Sequence, residues 1–411
     1  MKSNFELLSP AGDFQCLVAA INAGADAVYF GLEDFNMRAR AKNFKIKDLK
    51  KIKQLTGNSI GRRKGERSAG GWGKVSNKKI RRYLTLNTII YDNEMKKVEE
   101  IVKKVKPYVD AIICSDIAVM LLCKKHKIPF HISTQCSVSN TKSAKFYKKL
   151  GAKRIVLARE LNLKQIKKIS RIIPVEIFIH GAMCVSESGR CFTSQFLFNE
   201  SANRGKCIHP CRRAYIVKDE EGNKLKIENN YIFSAKDLCT LPFFEKLKNS
   251  GAVAFKIEGR NREPEYVDTV VRVYRRALDK KLTKKEIQDS MKELEKAYNK
   301  GFSSGFYLKS PTNDDFSKTE NSSATQTKQF IGKIIHYYPK INVGLLKLNT
   351  GKLQLGDEII ILGKTTGIVR AKVKTMEIKH KQIKEAKKGQ IIGIQLPFCR
   401  KGDDLYKVVK R

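Results

Sequence analysis

Short apolar runs alternate with lysine-rich amphipathic stretches along residues 1–260. Seven of the eight runs are continuously apolar rather than alternating, as expected for parallel strands that are covered on both faces. The stretches between them, such as Asp13–Ala23 and Asn93–Val105, place their apolar positions on one face of a helix. The predicted strands are Glu6–Ala11, Ala27–Leu32, Tyr83–Asn87, Ala111–Ser115, Pro129–Thr134, Arg154–Arg159, Val175–His180 and Ala252–Gly259.

This order of elements predicts a (β/α)8 TIM-like barrel, because eight strands with helical crossovers fit into about 260 residues. A doubly wound open sheet is the alternative, but no glycine-rich dinucleotide fingerprint follows the first strand. Polar side chains follow every predicted strand, and the active site of such a barrel lies at the carboxyl ends of its strands. These residues are Ser9, Asn36, Arg38, Asn87, Ser115, Asp116, Ser133, Thr134, Gln135, Arg159, Glu160, His180, Glu258 and Arg260.

Three segments depart from the barrel pattern, which would then occupy residues 1–310. Residues 57–79 are rich in Gly, Arg and Lys and contain Trp72, which predicts a flexible basic insertion that either clamps RNA or has no function. Residues 311–328 have the composition of a polar linker. Residues 329–411 alternate apolar and polar positions between glycine turns, which predicts a small antiparallel β-barrel.

The chain is strongly basic. Its 411 residues include 82 Lys and Arg against 41 Asp and Glu, a formal net charge of +41. Biased codon usage would enrich Lys and Glu together, so this surplus indicates attraction to a polyanion, with RNA or DNA the first candidates. A hydrophobic content of 41% excludes general disorder. No apolar run is long enough to span a membrane and none opens the chain as a signal peptide would, so we expect a cytoplasmic protein.

Five of the ten cysteines fall within 56 residues and suggest a metal site. Their spacing is C-x6-C-x15-C-x3-C with a fifth cysteine 28 residues later. Thiolates in such a set hold zinc or an iron–sulfur cluster, although the paired C-x2-C knuckles of zinc ribbons are missing. Unliganded thiols, or a nucleophilic cysteine with His180 or His209 as its base, stay open as alternatives. The five are Cys184, Cys191, Cys207, Cys211 and Cys239.

Residues 176–194 resemble the signature of the collagenase-like peptidase family (unclassified peptidase family thirty-two). Glu176–Cys184 and Ser188–Ser194 stand at the spacing of that signature. The likeness spans residues 5 to about 310, and the C-terminal part is similar to the second domain of translation factors such as elongation factor Tu. Further matching blocks are Leu8–Gly12, Ala23–Gly31, Phe35–Ala39, Ser133–Gln135, Leu157–Leu161, Ala202–Cys207, Lys236–Cys239 and Lys256–Arg260.

The resemblance is strongest to the tRNA hydroxylation proteins of this family, which form 5-hydroxyuridine at the wobble position. It implies tRNA as partner, prephenate as cosubstrate and possible assembly with a paralogous subunit. Relatives that hydroxylate ubiquinone precursors imply a 4Fe–4S cluster whose ligands would match Cys184, Cys191, Cys207 and Cys239 here. Cys211 would be the spare thiol, although it is able to replace Cys239. Zinc is the alternative metal.

The remaining site residues carry more general expectations. Glu160, Asp237 and Glu258 are the candidate carboxylates for acid–base work, and Glu258 also fits an ion-paired positioning role. His180 is the candidate for proton transfer. Two other functions stay open: a collagenase-like peptidase, which would lack an H-E-x-x-H zinc helix, and a non-catalytic RNA-binding factor with a structural zinc. Phosphate or the carboxylates of prephenate are expected to bind Arg38, Arg159, Lys256 and Arg260.

Overall fold

The computed structural model describes residues 5–57, 79–213, 215, 218–223, 233–319 and 321–411. The basic insertion predicted at residues 57–79, with its Trp72, lies outside the described residues except at its two ends. No helix in the described part of the chain is long and apolar enough to cross a membrane.

The N-terminal part of the chain is a closed parallel barrel, which confirms the predicted fold. Among the described residues, β1 to β7 and β9 are parallel and pair in chain order, and β9 closes the ring by pairing with both β1 and β7. Strand β8 runs antiparallel to the end of β7, and β10 is parallel to β8. The strands are β1 Glu6–Pro10, β2 Ala27–Gly31, β3 Arg81–Leu86, β4 Ala111–Cys114, β5 Phe130–Ile132, β6 Arg154–Val156, β7 Val175–Gly181, β8 Asp237–Cys239, β9 Ala254–Ile257 and β10 Phe302–Ser303.

Helices cover the outside of this barrel. The first begins after Asp13, whose carboxylate accepts a hydrogen bond from the backbone N–H of Cys16 at 2.8 Å, and ends at Gly24 in the left-handed region. Both amphipathic stretches singled out in the sequence are helical. The helices are α1 Phe14–Ala23, α2 Leu49–Gly57, α3 Met95–Val105, α4 Ile117–Lys125, α5 Thr141–Leu150, α6 Leu163–Ser170, α7 Thr193–Phe198, α8 Phe244–Lys248, α9 Pro264–Asp279 and α10 Lys284–Lys296.

A chain of buried charges crosses the barrel interior. Arg154 lies between Glu6 and Glu176, and its Nη1 is 3.2 Å from Oε2 of Glu176. The other carboxylate oxygen of Glu176 accepts a hydrogen bond from Nζ of Lys256 at 2.9 Å. Tyr83 donates its hydroxyl to Glu6 at 2.9 Å. The opposite charges are therefore matched among buried side chains, which is the condition for keeping them ionised.

The C-terminal domain is an antiparallel sheet with its own core, as predicted. The order of its main sheet is β15-β14-β20-β11-β12-β19-β16-β17, and β13 pairs with β18. Its first strand begins at Gln326, within the segment that the composition suggested as a linker. The strands are β11 Gln326–Tyr338, β12 Val343–Leu348, β13 Lys352–Gln354, β14 Glu358–Gly363, β15 Gly367–Lys372, β16 Met376–Ile378, β17 Lys381–Gln382, β18 Glu385–Lys387, β19 Ile391–Gln395 and β20 Asp404–Lys410.

This domain packs on the barrel helices α1 and α9. Ile360, Leu362 and Ile368, from β14 and β15, are buried in the same hydrophobic cluster as the helices' inner residues. Arg370 adds a hydrogen bond from its Nη2 to Oγ1 of Thr269 at 3.1 Å. The two domains therefore share apolar core rather than touching only through a flexible connection.

Candidate active site at the barrel mouth

An ion pair marks the mouth at the carboxyl ends of the strands. Glu258, which follows β9, is 7% exposed, and its Oε1 accepts a hydrogen bond from Nη2 of Arg38 at 3.1 Å. Burial acts to raise the pKa of Glu258, but the positive charges of Arg38, Arg262 and Arg159 outweigh it and lower that pKa overall. Glu258 is therefore held as a carboxylate, and the half-buried guanidinium of Arg38 is directed to the mouth.

Arg159 provides a second cation at the same face. Its Nη1 donates to the carbonyl of Ala182 at 2.6 Å, and its guanidinium lies 3.9 Å from the ring centroid of Phe178. Its Nε is buried without a hydrogen-bond partner among the described residues. This unused donor fits an incoming phosphate or carboxylate, because leaving a buried guanidinium N–H unpaired costs free energy. The expected anion-binding role therefore remains a proposal for Arg38 and Arg159.

Arg260 has a different position from the one expected. It is 4% exposed, and its terminal nitrogens donate to Thr85 at 2.9 Å and to Asn36 at 2.8 Å, with Asn43 as a third partner. A Cβ on Gly31 would collide with this guanidinium, so the glycine is needed for the close approach. Arg260 therefore holds the segment that carries Arg38, which is a positioning role, and its direct binding of substrate stays a prediction.

Lys256 also lies away from the mouth. Its ammonium group is buried against Glu176 and lies 4.3 Å from the ring centroid of Tyr29. Burial lowers the pKa of Lys256, and the charge of Glu176 opposes that shift. Because β9 alternates inward positions, Lys256 lies one layer below Glu258 in the barrel. On this geometry Lys256 belongs to the internal ion-pair chain, and its expected role in substrate binding stays a prediction.

His180 faces the helix layer instead of the mouth. It is 2% exposed, packs against the rings of Tyr266, Tyr274 and Phe302, and its Nδ1 is 3.4 Å from the hydroxyl of Tyr274. The β7–β9 register shifts between Phe178 and His180, so the inward alternation does not continue to the histidine. Burial lowers the pKa of His180 to about 3, with Arg262 contributing. On this geometry His180 is a core residue, and its proton-transfer role stays a prediction.

The cysteine-rich segment, residues 182–213, folds across the mouth. Ala39 donates its backbone N–H to the carbonyl of Gly205 at 3.1 Å, and Nη2 of Arg190 donates to the carbonyl of Gln135 at 2.8 Å. Gly205 has φ +86, and a Cβ there would collide with the carbonyl oxygen of Asn36. The glycine is thus required for the segment to approach the loop after β2.

Cys211 and Cys239, the two alternatives for the fourth ligand, lie in different surroundings. Burial raises the pKa of Cys211 to about 11; Arg212 opposes the shift, and the nearby thiols of Cys184, Cys207 and Cys191 reinforce it. Cys211 is therefore within electrostatic range of all three. Cys239 is 3% exposed, and its Sγ lies 3.7 Å from the hydroxyl of Tyr274.

The position of Cys239 follows from β8. This strand pairs His180 with Cys239, so both side chains enter the same layer beneath α9 and α10, where Met291 also contacts the thiol at 3.7 Å. Cys239 as the fourth cluster ligand therefore stays a prediction, and Cys211 is the alternative that the spacing left open. Cys211 stands four positions after Cys207 within the segment that crosses the mouth.

The four thiols suit a thiolate-bound metal group by their chemistry. Soft thiolate ligands select zinc or iron–sulfur clusters, and Arg38, Arg159 and Arg212 are present to offset their negative charge. Within the described residues, no three Cys, His, Asp or Glu side chains are arranged to coordinate one ion. The donor set therefore fits such a group by its chemistry, although the thiols of the described residues do not converge on one point.

Asp237 was named only as a general candidate, and the structure places it beside the mouth. It is 1% exposed, and its Oδ1 has no hydrogen-bond partner among the described residues, with Nη1 of Arg212 at 4.0 Å. Burial raises the pKa of Asp237, although Arg262 and Arg212 oppose the shift. Asp237 and Glu258 thus form a carboxyl pair whose pKa values move in opposite directions, an arrangement suited to acid–base chemistry.

One further mouth residue, Arg262, escaped the sequence-based selection. Arg262 lies 3.6 Å from the ring centroid of Tyr298 and contributes to the electrostatics of Asp237 and Glu258. Its signal was its place in the loop after β9, two residues beyond Arg260. His209, which the sequence offered as a possible base for a nucleophilic cysteine, is exposed. Glu160 is exposed as well.

Comparison with known families supports the likeness seen in the signature. The profile of peptidase family U32 matches residues 12–63 and 66–317, which contain the barrel and the cysteine-rich segment. The chain belongs to this family. The match includes every barrel strand from β2 to β9 and ends before the C-terminal domain.

Relatives of this U32 protein have names from two areas of chemistry. A collagenase of Porphyromonas gingivalis is 38% identical over 430 residues, covering 100% of this chain and 99% of the relative. A tRNA hydroxylation protein of Bacillus subtilis is 31% identical over 372 residues, covering 87% and 83%. A 23S rRNA 5-hydroxycytidine synthase of Escherichia coli is 37% identical over 277 residues, covering 67% of this chain and 39% of the enzyme.

Proposed function

We propose that this protein is an enzyme that hydroxylates RNA, with the wobble uridine of tRNA as its substrate and 5-hydroxyuridine as its product. The observation that carries the proposal is the cysteine-rich segment lying across an arginine-lined barrel mouth. Relatives that share most of the chain are named for tRNA hydroxylation, and another is named for the same type of modification on rRNA. The net charge of +41 favours a polyanionic substrate.

In this proposal a uridine is splayed out of the anticodon loop into the mouth. Arg38 and Arg159 bind the adjacent phosphate or the carboxylates of a prephenate cosubstrate. Glu258 keeps Arg38 oriented through their 3.1 Å ion pair. Asp237, whose pKa is raised by burial, is the proposed proton donor in the mouth. The cysteine-rich segment, which lies across the mouth, also excludes water from the reacting base.

A 4Fe–4S cluster on Cys184, Cys191, Cys207 and Cys211 is part of the proposal, with zinc as the alternative metal. When bound, such a cluster supplies one-electron redox chemistry. The chain's own contribution is the ligand set and the surrounding arginines, which offset the negative charge of four thiolates. A paralogous subunit is a further proposed partner, and none of the described contacts depends on it.

Peptide hydrolysis is the second candidate, because the full-length relative from Porphyromonas gingivalis is named a collagenase. The Asp237 and Glu258 carboxyl groups would then activate water. This function does not require the thiols, so peptide cleavage that persists after the cysteines are replaced would favour it. A non-catalytic factor with structural zinc would bind tRNA and leave its nucleosides unchanged.

The proposal is tested by expressing the chain in Escherichia coli cells that lack their own tRNA hydroxylation proteins. Digested tRNA is analysed for 5-hydroxyuridine by mass spectrometry, and the protein is purified without air for iron, zinc and acid-labile sulfide. We expect 5-hydroxyuridine and iron with matching sulfide, both lost in Cys184→Ala. Zinc without sulfide, together with unmodified tRNA, would refute the proposal.

A further inference from the structure

An exposed aromatic surface lies beside the cysteine-rich segment. Phe192, Phe196, Leu197 and Phe198, hereafter the α7 platform, are 61%, 81%, 55% and 39% exposed. The rings of Phe192 and Phe196 are nearly parallel, with an interplanar angle of 21° and centroids 5.8 Å apart. Clustered exposed apolar side chains on a soluble protein usually mark a binding surface.

The α7 platform is attached to the mouth by the buried side of its helix. Ser194 is fully buried, and its hydroxyl accepts the backbone N–H of Ile208 at 3.2 Å and lies 3.8 Å from Sγ of Cys207. The thiol of Cys191 is 3.2 Å from the hydroxyl of Thr193, at the start of the helix. Cys191 and Cys207 therefore contact α7 directly, which places the platform beside the cysteine-rich segment.

Cations flank the platform. The guanidinium of Arg213 lies 4.7 Å from the ring centroid of Phe198. The carboxylate of Glu200 is ion-paired with Arg40 and Lys206, so its negative charge is offset. A polyanion that also carries flat π-systems matches this mixture of rings and cations, and single-stranded nucleic acid has both properties. An apolar protein surface would match the rings but not the adjacent positive charge.

We propose that the α7 platform stacks unpaired bases of the RNA next to the nucleotide that enters the mouth. This inference rests on the proposed function, since it assigns the contact that holds the substrate's flanking bases. Phe196, with 81% of its surface exposed, is the main stacking side chain, and Arg213 contacts the backbone phosphate. The platform then selects single-stranded RNA over duplex, because paired bases present no free face.

The test compares substitutions at Phe196 with a matched exposed phenylalanine. Phe146, on α5, is 56% exposed and provides the control Phe146→Ala. Binding of an unmodified tRNA transcript and of a fully paired RNA duplex is titrated at several salt concentrations. Formation of 5-hydroxyuridine and the mass of the protein in solution are measured for the same variants.

We expect Phe196→Ala and Phe196→Leu to weaken tRNA binding roughly ten-fold, the size typical of losing one base–aromatic stack. Phe196→Tyr should bind normally, and duplex binding should stay unchanged in all variants. The salt dependence should keep its slope, because no phosphate contact is removed. In Arg213→Gln, by contrast, that slope should become smaller.

Normal tRNA binding by Phe196→Ala, or rescue by Phe196→Leu, would overturn the inference, since leucine keeps the apolar surface without the ring. A fall in solution mass in Phe196→Ala would overturn it in favour of a protein partner. These results leave the proposed function intact when the wild-type chain still forms 5-hydroxyuridine. Absence of both tRNA binding and modification in the wild type would overturn the two proposals together.

Discussion

Replacing Lys256 by Met separates a structural role from a substrate-binding role. The Nζ of Lys256 is 2.9 Å from Oε1 of Glu176, and the two side chains are 6% and 0% exposed. Methionine has a similar length and fills the space of the lysine stem, so packing is largely kept. The substitution therefore removes a buried charge and leaves its partner with less compensation.

The expected loss follows from the partners that remain. Breaking a buried ion pair by removing one member costs about 3–5 kcal/mol. Glu176 still has Arg154 at 3.2 Å, so the loss should lie at the lower end, about 3 kcal/mol. At about 2 °C per kcal/mol for a large domain, Tm should fall by about 6 °C. RNA hydroxylation per folded molecule should be unchanged, because Lys256 does not reach the mouth.

The assay is urea and thermal unfolding followed by circular dichroism, with 5-hydroxyuridine in tRNA measured at a temperature where the variant is folded. Exposed Lys246 provides the control Lys246→Met, which should change the free energy of unfolding by less than about 0.5 kcal/mol. Unchanged stability combined with lost hydroxylation in Lys256→Met would refute the reasoning and support the role of Lys256 in substrate binding.

Three further predictions concern the mouth. Gly205→Ala should lose bound iron while the barrel stays folded, because its Cβ would collide with the backbone of Asn36. Gly222→Ala should keep the iron, because Gly222 has an almost identical φ of +85 and no described atom within 4 Å of a Cβ. Equal iron content in the two variants would contradict the prediction. Cys211→Ala, purified without air, should lose iron and sulfide, whereas Cys239→Ala should keep them. The reverse result would support Cys239 as the fourth cluster ligand. The pKa of Glu258 is lowered on folding, so its stabilising contribution is present above the unfolded value of about 4.3 and is lost as pH falls. Glu258→Gln should therefore reduce the acid-side fall of the free energy of unfolding measured in urea. An unchanged pH dependence would contradict this prediction.

The strands of the barrel were readable from the sequence because parallel strands buried on both faces leave continuous apolar runs. All eight predicted runs coincide with strands of the closed ring. The antiparallel C-terminal domain was equally visible in its alternating pattern. Its first strand was placed late because the polar residues at its start, such as Gln326, sit on a half-exposed strand and have the composition of a linker.

The site was less predictable because position along a strand does not give the direction of a side chain. The shift in the β7–β9 register between Phe178 and His180 directs the histidine towards α9, and no pattern in the sequence predicted that irregularity. Lys256 and Glu258 are two positions apart and both face inward, yet only the second reaches the mouth. Spacing alone likewise left Cys211 and Cys239 as alternatives, since the choice depends on how β8 pairs with β7.

The docking of the C-terminal domain on α1 and α9 has a consequence for synthesis on the ribosome. Strand β1 is made first, but its second neighbour, β9, pairs with it through Glu6 and Ala254 and so emerges much later. Until then β1 is an open edge, the kind of surface on which chains aggregate. The outer apolar residues of α1 and α9 are covered only after Ile360 and Ile368 have been synthesised. A nascent chain that ends before β15 would therefore expose apolar surface on its N-terminal helix α1. We expect the chain to need chaperones until the C-terminal domain is made.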